Sequence, residues 1–482
     1  MRRSLVVLAV LGLVVTAGCL GSTPAPAGPA EPVPTTTATD TTTSVHPADP
    51  PEDTLGWEDG YWYNETLDVD RSDGLNDSEL DAVVSRAMAR VEHIRGLEFE
   101  HRVPVEIISR EEHTNRTSGQ YENVSQNGSL HQNVKYEATF LMGESTSAVG
   151  QQERNQASNV LGYYSPGQDR IVIVSEDTDS PRIDEVTLAQ ELFHALQEHR
   201  FNVSEYEANT EETHNARMGI VEGDANYVDY RYEQEFIEDD ENGSAGGSDV
   251  HLGLLALRSQ PYSDGPVFVD ERYEEGGWDA VNAVYDDPPQ STEQTIHTEK
   301  YRTDEPTEVR IDDRSAAAWA VPDLGNGSVD YAQFGEAGMY VMLWYPSYET
   351  KQDVVIPLNN FLDTDGEVDL YNYDHRYSAG WDGDRLLPYT TNDSAETGET
   401  GYVWKSVWDS ETEATQFLDG YHQLLEHHNA EPVPERPNTY RISEGEFADA
   451  FYVEQSGETV VIVNAPTVEE LTEVREGAGA AE

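Results

Sequence analysis

Apolar residues recur at helical spacing from Leu80 onward: Leu80, Val83, Val84, Met88, Val91 and Ile94 form one stripe of a 3.6-residue period. Asp77 or Ser78 can cap the start of this helix and Gly96 its end. Val103 to Ile108 reads as a strand. Tyr163 to Gln168 reads as a turn, with Pro166-Gly167 as its signal, and Arg170 to Val174 is a second, β-branched strand. A helix follows, with Asp184 or Thr187 as candidate cap. Its residues Val186, Leu188, Ala189, Leu192, Phe193, Ala195 and Leu196 make the broad apolar surface of a buried element. The next helical pattern runs from Thr213 to Phe236 through Ala216, Met218, Ile220, Val221, Ala225 and Val228. The order helix, strand, strand, helix, helix predicts a mixed α+β core.

Further along, Trp278 and Val281 predict a short helix that the pair Pro288-Pro289 ends. Gln333 to Trp344 reads as a helix, Trp381 to Leu386 as a turn into a strand, and Tyr402 to Trp408 as a strand. Ser410 caps a helix bearing Ala414, Phe417, Leu418, Tyr421 and Leu424. Ala450 to Val453 and Thr459 to Val463, joined around Ser456-Gly457, form a predicted hairpin. The many tryptophans and tyrosines read as core. No heptad repeat, Gly-rich phosphate loop or Ser/His/Asp spacing stands out.

The candidate chemistry lies in Gln190-Glu191-Leu192-Phe193-His194 and in Glu222-Gly223-Asp224-Ala225. Residues four apart on a helix share one face, so imidazoles at both positions of His-x-x-x-His grip one Zn2+ while a third ligand arrives from another element. The glutamate after the first ligand then lies beside the metal-bound water as general base. In this chain His194 and Glu222 can ligate and Glu191 can act as base. Position 190 holds glutamine, whose amide oxygen is a neutral and weak ligand where zinc sites use His, Cys or carboxylate. Two outcomes stay open: a helix kept as core with the metal lost, or a site completed by another residue. His297 is the best histidine outside the motif for a second role, in stabilising an oxyanion or completing a metal shell, against a purely hydrogen-bonded structural role.

The two ends and the charge narrow the setting. The chain has 482 residues and a net charge of −64, from 93 acidic and 29 basic residues, with only four lysines: Lys135, Lys300, Lys351 and Lys405. Such a surface suits molar salt, which screens its self-repulsion, and excludes nucleic-acid binding, which needs clustered Lys and Arg. Met1-Arg2-Arg3 precedes an apolar run from Leu5 to Ala17, too short to span a bilayer, that ends at Gly18-Cys19. This predicts a signal peptide over residues 1–18, used by the Sec or twin-arginine route. The only cysteine, Cys19, then becomes a lipidated first residue, so no intramolecular disulfide or thiolate site exists. Residues 19–55, with Thr35-Thr36-Thr37 and Thr41-Thr42-Thr43, predict a disordered stalk. Asn-x-Ser/Thr sequons at Asn64, Asn76, Asn115, Asn123, Asn127, Asn202, Asn242, Asn326 and Asn392 support a glycosylated surface location.

Thr187 to Gln197, Val221 to Ala225, Pro288 to Tyr301, Gly380 to Leu386 and Trp404 to Tyr421 together resemble haloarchaeal surface lipoproteins that look related to gluzincin-type zinc metallopeptidases. The resemblance covers residues 75 to 470. It implies a zincin-like core over 56–304, with a small sheet, motif helix and ligand helix, and a C-terminal α+β extension over 305–482. It implies His194 and Glu222 as zinc ligands, position 190 as the substituted ligand and Glu191 as base. The location implied is the extracellular face of the membrane, anchored through lipid on Cys19, with cell-envelope proteins or extracellular peptides as partners. Two functions follow as expectations: a non-catalytic binding or envelope module, or an active peptidase with a non-standard ligand set, since fold does not fix function.

Overall fold

The computed structural model describes residues 49–117, 124–237, 250–325, 328–364 and 366–481. The expected signal peptide, Cys19, the stalk as far as residue 48, and the sequons at Asn123, Asn242 and Asn326 lie outside the described residues. The first elements are β1 (Trp57–Glu58), β2 (Tyr61–Trp62), α1 (Asp77–Arg95), β3 (Val105–Ser109), α2 (Arg110–Thr117), α3 (Gln126–Ala138) and α4 (Ala148–Asn159). Then come β4 (Gly162–Ser165), β5 (Arg170–Ser175), α5 (Glu185–Phe201), α6 (Glu211–Phe236), α7 (Leu252–Tyr285), α8 (Glu293–Ile296) and α9 (Gly335–Thr350). The chain finishes with β6 (Trp381–Tyr389), α10 (Ser394–Thr397), β7 (Gly401–Trp408), α11 (Glu411–His427), β8 (Glu431–Pro432), β9 (Thr439–Arg441), β10 (Ala450–Ser456), β11 (Thr459–Ala465) and α12 (Leu471–Val474). The architecture is mixed α+β, and no helix among the described residues is long and apolar enough to cross a membrane.

Two compact units emerge, and they interleave along the chain where the sequence reading placed a single cut after residue 304. The first comprises residues 1–110, 159–200 and 228–247, the second 111–158, 201–227 and 248–482. Helix α6 contributes its early residues to the second and its later residues to the first.

In the first unit the sheet order is β3-β5-β4. Strand β3 runs parallel to β5, pairing Val105 with Ile171 through Ser109 with Ser175, and β4 closes a hairpin antiparallel to β5. The β-branched run expected of a buried strand is met: Ile108, Val172 and Val174 form one cluster with Tyr163 packed against it. Helix α1 begins one residue earlier than the sequence suggested. Asn76 accepts from the amides of Ser78 and Glu79 while Glu79 reaches back to the Asn76 amide, a reciprocal capping box that neither Asp77 nor Ser78 could make with a glutamate three residues on. Gly96 closes the helix in the left-handed conformation (φ 69°), as its position predicted. Near the end of α1, Glu92 accepts the amides of Gly56 (2.9 Å) and Phe99 (2.8 Å). Glu58 lies beside it, and burial together with the Glu92 and Asp53 charges pushes its carboxyl up to about 9.

In the second unit an entirely antiparallel sheet of order β6-β7-β11-β10-β9-β8 carries α11 on it, where Phe417 stacks on Trp408 at 4.6 Å. Helix α9 is buried along nearly its whole length, and Asp384 of β6 pins its start. That fully buried carboxylate accepts the amides of Phe334 and Gly335 and the indole N–H groups of Trp381 and Trp404. The whole of Trp381 to Leu386 is strand, and the expected turn lies just ahead of it, at residues 376–380.

Trp278 and Val281 lie, as expected, in a short helix: this last part of α7 follows a break at Gly276-Gly277, where Gly277 takes φ 65°, and stops at Tyr285, ahead of Pro288-Pro289. The helical stretch before the break, which contains Pro261 and Pro266, was not assigned from the sequence. A proline inside a helix frees the carbonyl four residues earlier. Here the freed Leu257 carbonyl accepts from the buried amide of Asn215 on α6 (2.9 Å), which satisfies it without a helix break. Helices α6 and α7 approach closely at glycines: a Cβ on Gly223 would lie 2.5 Å from the Gly265 backbone, so both positions need the missing side chain.

Two of the four lysines are committed to ion pairs in this unit. Lys135 pairs with Glu211, and Lys300 is held by Glu293, Asp304 and Asp409. The six described sequon asparagines, Asn64, Asn76, Asn115, Asn127, Asn202 and Asn392, are all exposed. Asn76 spends its side chain on the α1 cap, and Asn127 donates to the Asp323 carbonyl.

Candidate functional site

The motif helix α5 is anchored at its first residue. Asp184 caps it, accepting from the Thr187 amide (2.7 Å) and hydroxyl (2.8 Å). Glu185 is then gripped by Arg71, by Arg86 (3.0 Å), by Arg90 (2.6 Å) and by the Tyr232 hydroxyl (2.7 Å). Burial works against the charge of Glu185, but Arg86, Tyr232, Arg90 and Arg71 outweigh it and hold the carboxyl below the usual glutamate range. The apolar face of α5 is sealed: Leu188, Ala189, Leu192, Phe193, Ala195 and Leu196 are all fully buried.

Against this fixed frame the motif side chains are placed as follows. Gln190, Glu191 and His194 are each partly exposed on the remaining face of α5. Glu191 accepts the backbone N–H of Tyr164 on β4 at 2.8 Å. His194 meets the buried Gln197 side chain at 2.8 Å through Nδ1. Asp229, on the later part of α6, belongs to the same unit and lies in the field of His194 and Glu191. Burial pushes its carboxyl well above the ordinary range, His194 pulls the other way, and its Oδ1 is shielded from solvent with no hydrogen-bond partner among the described residues. The sequence reading missed Asp229. The only signal was its spacing, seven residues or two helical turns beyond Glu222.

Glu222 lies in the second unit, on the earlier part of α6. Its neighbours in sequence have packing roles: Gly223 makes the close approach to Gly265, and the buried Asp224 accepts from the Tyr285 hydroxyl at 2.6 Å. Glu222 raises His214 electrostatically, although burial lowers that histidine more.

His297 also lies in the second unit, at the end of the short helix α8. Its Nε2 is 3.0 Å from Oε1 of the fully buried Glu336. Burial alone would lower His297, but the Glu336 carboxylate overrides this and pushes it up to about 9. His297, Glu336 and Asp374 place ligand atoms within 4.8 Å of one another, so this geometry suits an ion pair and a metal shell alike.

Zinc, which the resemblance implies, needs three protein donors drawn from imidazole, thiolate and carboxylate. Helix α5 offers one imidazole, one neutral amide at position 190 and a glutamate tied to a strand amide. That donor set does not fit a catalytic zinc.

Residues 321–475 match the family described as Domain of unknown function (DUF8575). The match takes in α9, α11, α12 and the six-stranded sheet, and covers less than half of the chain. The motif helix, Glu222 and His297 lie outside it. No curated protein and no solved structure matches the chain.

Proposed function

We propose that the chain is a lipid-anchored cell-surface protein whose zincin-like core serves as a binding or envelope module without peptidase activity. The observation that carries this reading is the state of the motif helix. Position 190 holds an amide where the chemistry needs an imidazole, and Glu191, the base, accepts the Tyr164 N–H. The sheet β3-β5-β4 in one unit with α5 supports the zincin-like reading, and the exposed sequons support the surface location. Cell-envelope proteins or extracellular peptides are the partners this location offers. One observation favours a second reading, an active extracellular zinc metallopeptidase with a non-standard ligand: the unpartnered Asp229 oxygen in the field of His194.

Peptide hydrolysis decides between them. The full chain in molar salt with added zinc should cleave unstructured peptides no faster than buffer, and Glu191→Gln should leave that rate unchanged. Zinc-dependent cleavage that disappears in Glu191→Gln would establish the second reading. The anchor is tested separately by cell fractionation. Cys19→Ser should move the protein from the membrane fraction to the medium, because the lipid on this residue is the proposed anchor. Retention of the variant on the membrane would refute lipidation at that residue.

A further inference from the structure

We propose that His101, Asp169 and His199 form a site for a divalent transition-metal cation, zinc above all. The three residues come from three parts of the first unit: the segment before β3, the turn between β4 and β5, and the last turn of α5. Asp169 stands between the two imidazoles. Its Oδ2 is 2.6 Å from His101 Nε2 and its Oδ1 is 2.9 Å from His199 Nε2. The imidazole rings lie 4.5 Å apart, and the donor atoms of all three residues fall within 4.8 Å of one another. Bonds of about 2.1 Å from a cation to each donor then require only small side-chain shifts.

Features around the triad favour a cation over a plain hydrogen-bonded cluster. The Tyr164 hydroxyl donates to Asp169 Oδ1 at 2.8 Å, the outer-sphere contact that orients a ligating carboxylate. Two imidazoles placed side by side repel once protonated, whereas one dication shared between them replaces both protons. The His101 side chain is 51% exposed and that of Asp169 41%, so a cation has an entry path, while His199 at 8% is fixed in place. Two imidazoles and one carboxylate select zinc-like ions over calcium and magnesium, which take oxygen ligands. They also leave coordination positions for water or a partner's side chain.

The site is independent of the motif chemistry, since none of its residues occupies a motif position, and it would load whether or not Glu191 supports hydrolysis. Zinc and the spectroscopic probe Co2+ should be titrated into the full chain in molar salt, with excess magnesium to occupy surface carboxylates. One equivalent should bind, with the d–d spectrum of a nitrogen- and oxygen-liganded cobalt. His101→Ala, an exposed change that leaves the fold intact, should weaken binding by about 100-fold or more, the upper end of losses seen when only an orienting group is removed. Zinc should also raise the thermal midpoint of the parent and not of His101→Ala. His194→Ala should bind as the parent does. Equal binding by the parent and His101→Ala, no specific binding by the parent, or loss confined to His194→Ala would each overturn the assignment.

Discussion

Replacing Glu185 by alanine should destabilise the protein by about 3–5 kcal/mol, the range for removing one partner of a buried ion pair. Arg86 and Arg90 are about nine-tenths buried, and both direct guanidinium N–H groups at this one carboxylate. Arg71 and the Tyr232 hydroxyl complete its surroundings. Without Glu185 two buried cations face each other with no counter-charge. Arg90 keeps its contact with the Tyr63 carbonyl (3.0 Å) and its place over the Phe236 ring (4.4 Å), which neutralise nothing. A thermal scan in molar salt should show the transition of the first unit lowered by roughly 10 °C. Because the cluster is shielded from solvent, salt should compensate little of the loss. A shift of only a degree or two would mean that Glu185 does not anchor the motif helix.

The second large effect is a loss of stability on the alkaline side that Glu58→Gln should relieve. Glu58 is held up to about 9 by burial and by the Glu92 and Asp53 charges, against an ordinary value of 4.5. A carboxyl raised in the folded state contributes stability that is complete below its unfolded value and is lost as pH climbs through the folded value. Between those limits the cost is roughly 1.4 kcal/mol per pH unit, so from pH 6 to 8 this group alone removes about 3 kcal/mol. Glutamine keeps the shape, donates to Glu92 without titrating, and leaves Glu92, itself pushed up to about 7 by burial, with its two backbone donors from Gly56 and Phe99. The variant should match the parent near pH 5 and exceed it increasingly towards pH 8, measured as denaturant midpoints at constant salt. Parallel pH profiles for the two proteins would refute a shared proton at Glu58 and Glu92.

Elements with strong local signals were legible in the sequence. The Leu80 to Ile94 stripe, the β-branched run before the motif and the Ser456-Gly457 hairpin all form where periodicity and turn residues put them. The proline-bearing part of α7 was not legible, because Pro261 and Pro266 break the local pattern and the compensating donor for the first, Asn215, is 42 residues away from the carbonyl it satisfies. The site shows the same division. The motif segment is local and could be read directly, including its glutamine. Glu185 looks like any first-turn glutamate, and only the arginines of another helix reveal its burial. Asp229, Asp169 and His101 carry no motif at all, since their meaning comes from side chains brought together by the β4–β5 turn and by α6.

The placement of the lysines has a chemical corollary. Lys135 and Lys300 are locked into carboxylates, and Lys405 is half-buried in β7, which leaves Lys351 as the one exposed lysine. It sits in the left-handed conformation just past α9 with its ammonium 3.3 Å from the Tyr348 ring, and partial burial lowers its pKa, which makes it a better nucleophile. Reagents that acylate amines therefore meet a nearly single-handled molecule. A dye, a bead or a cross-linker attached through amine chemistry would join the folded body at one point and in one orientation.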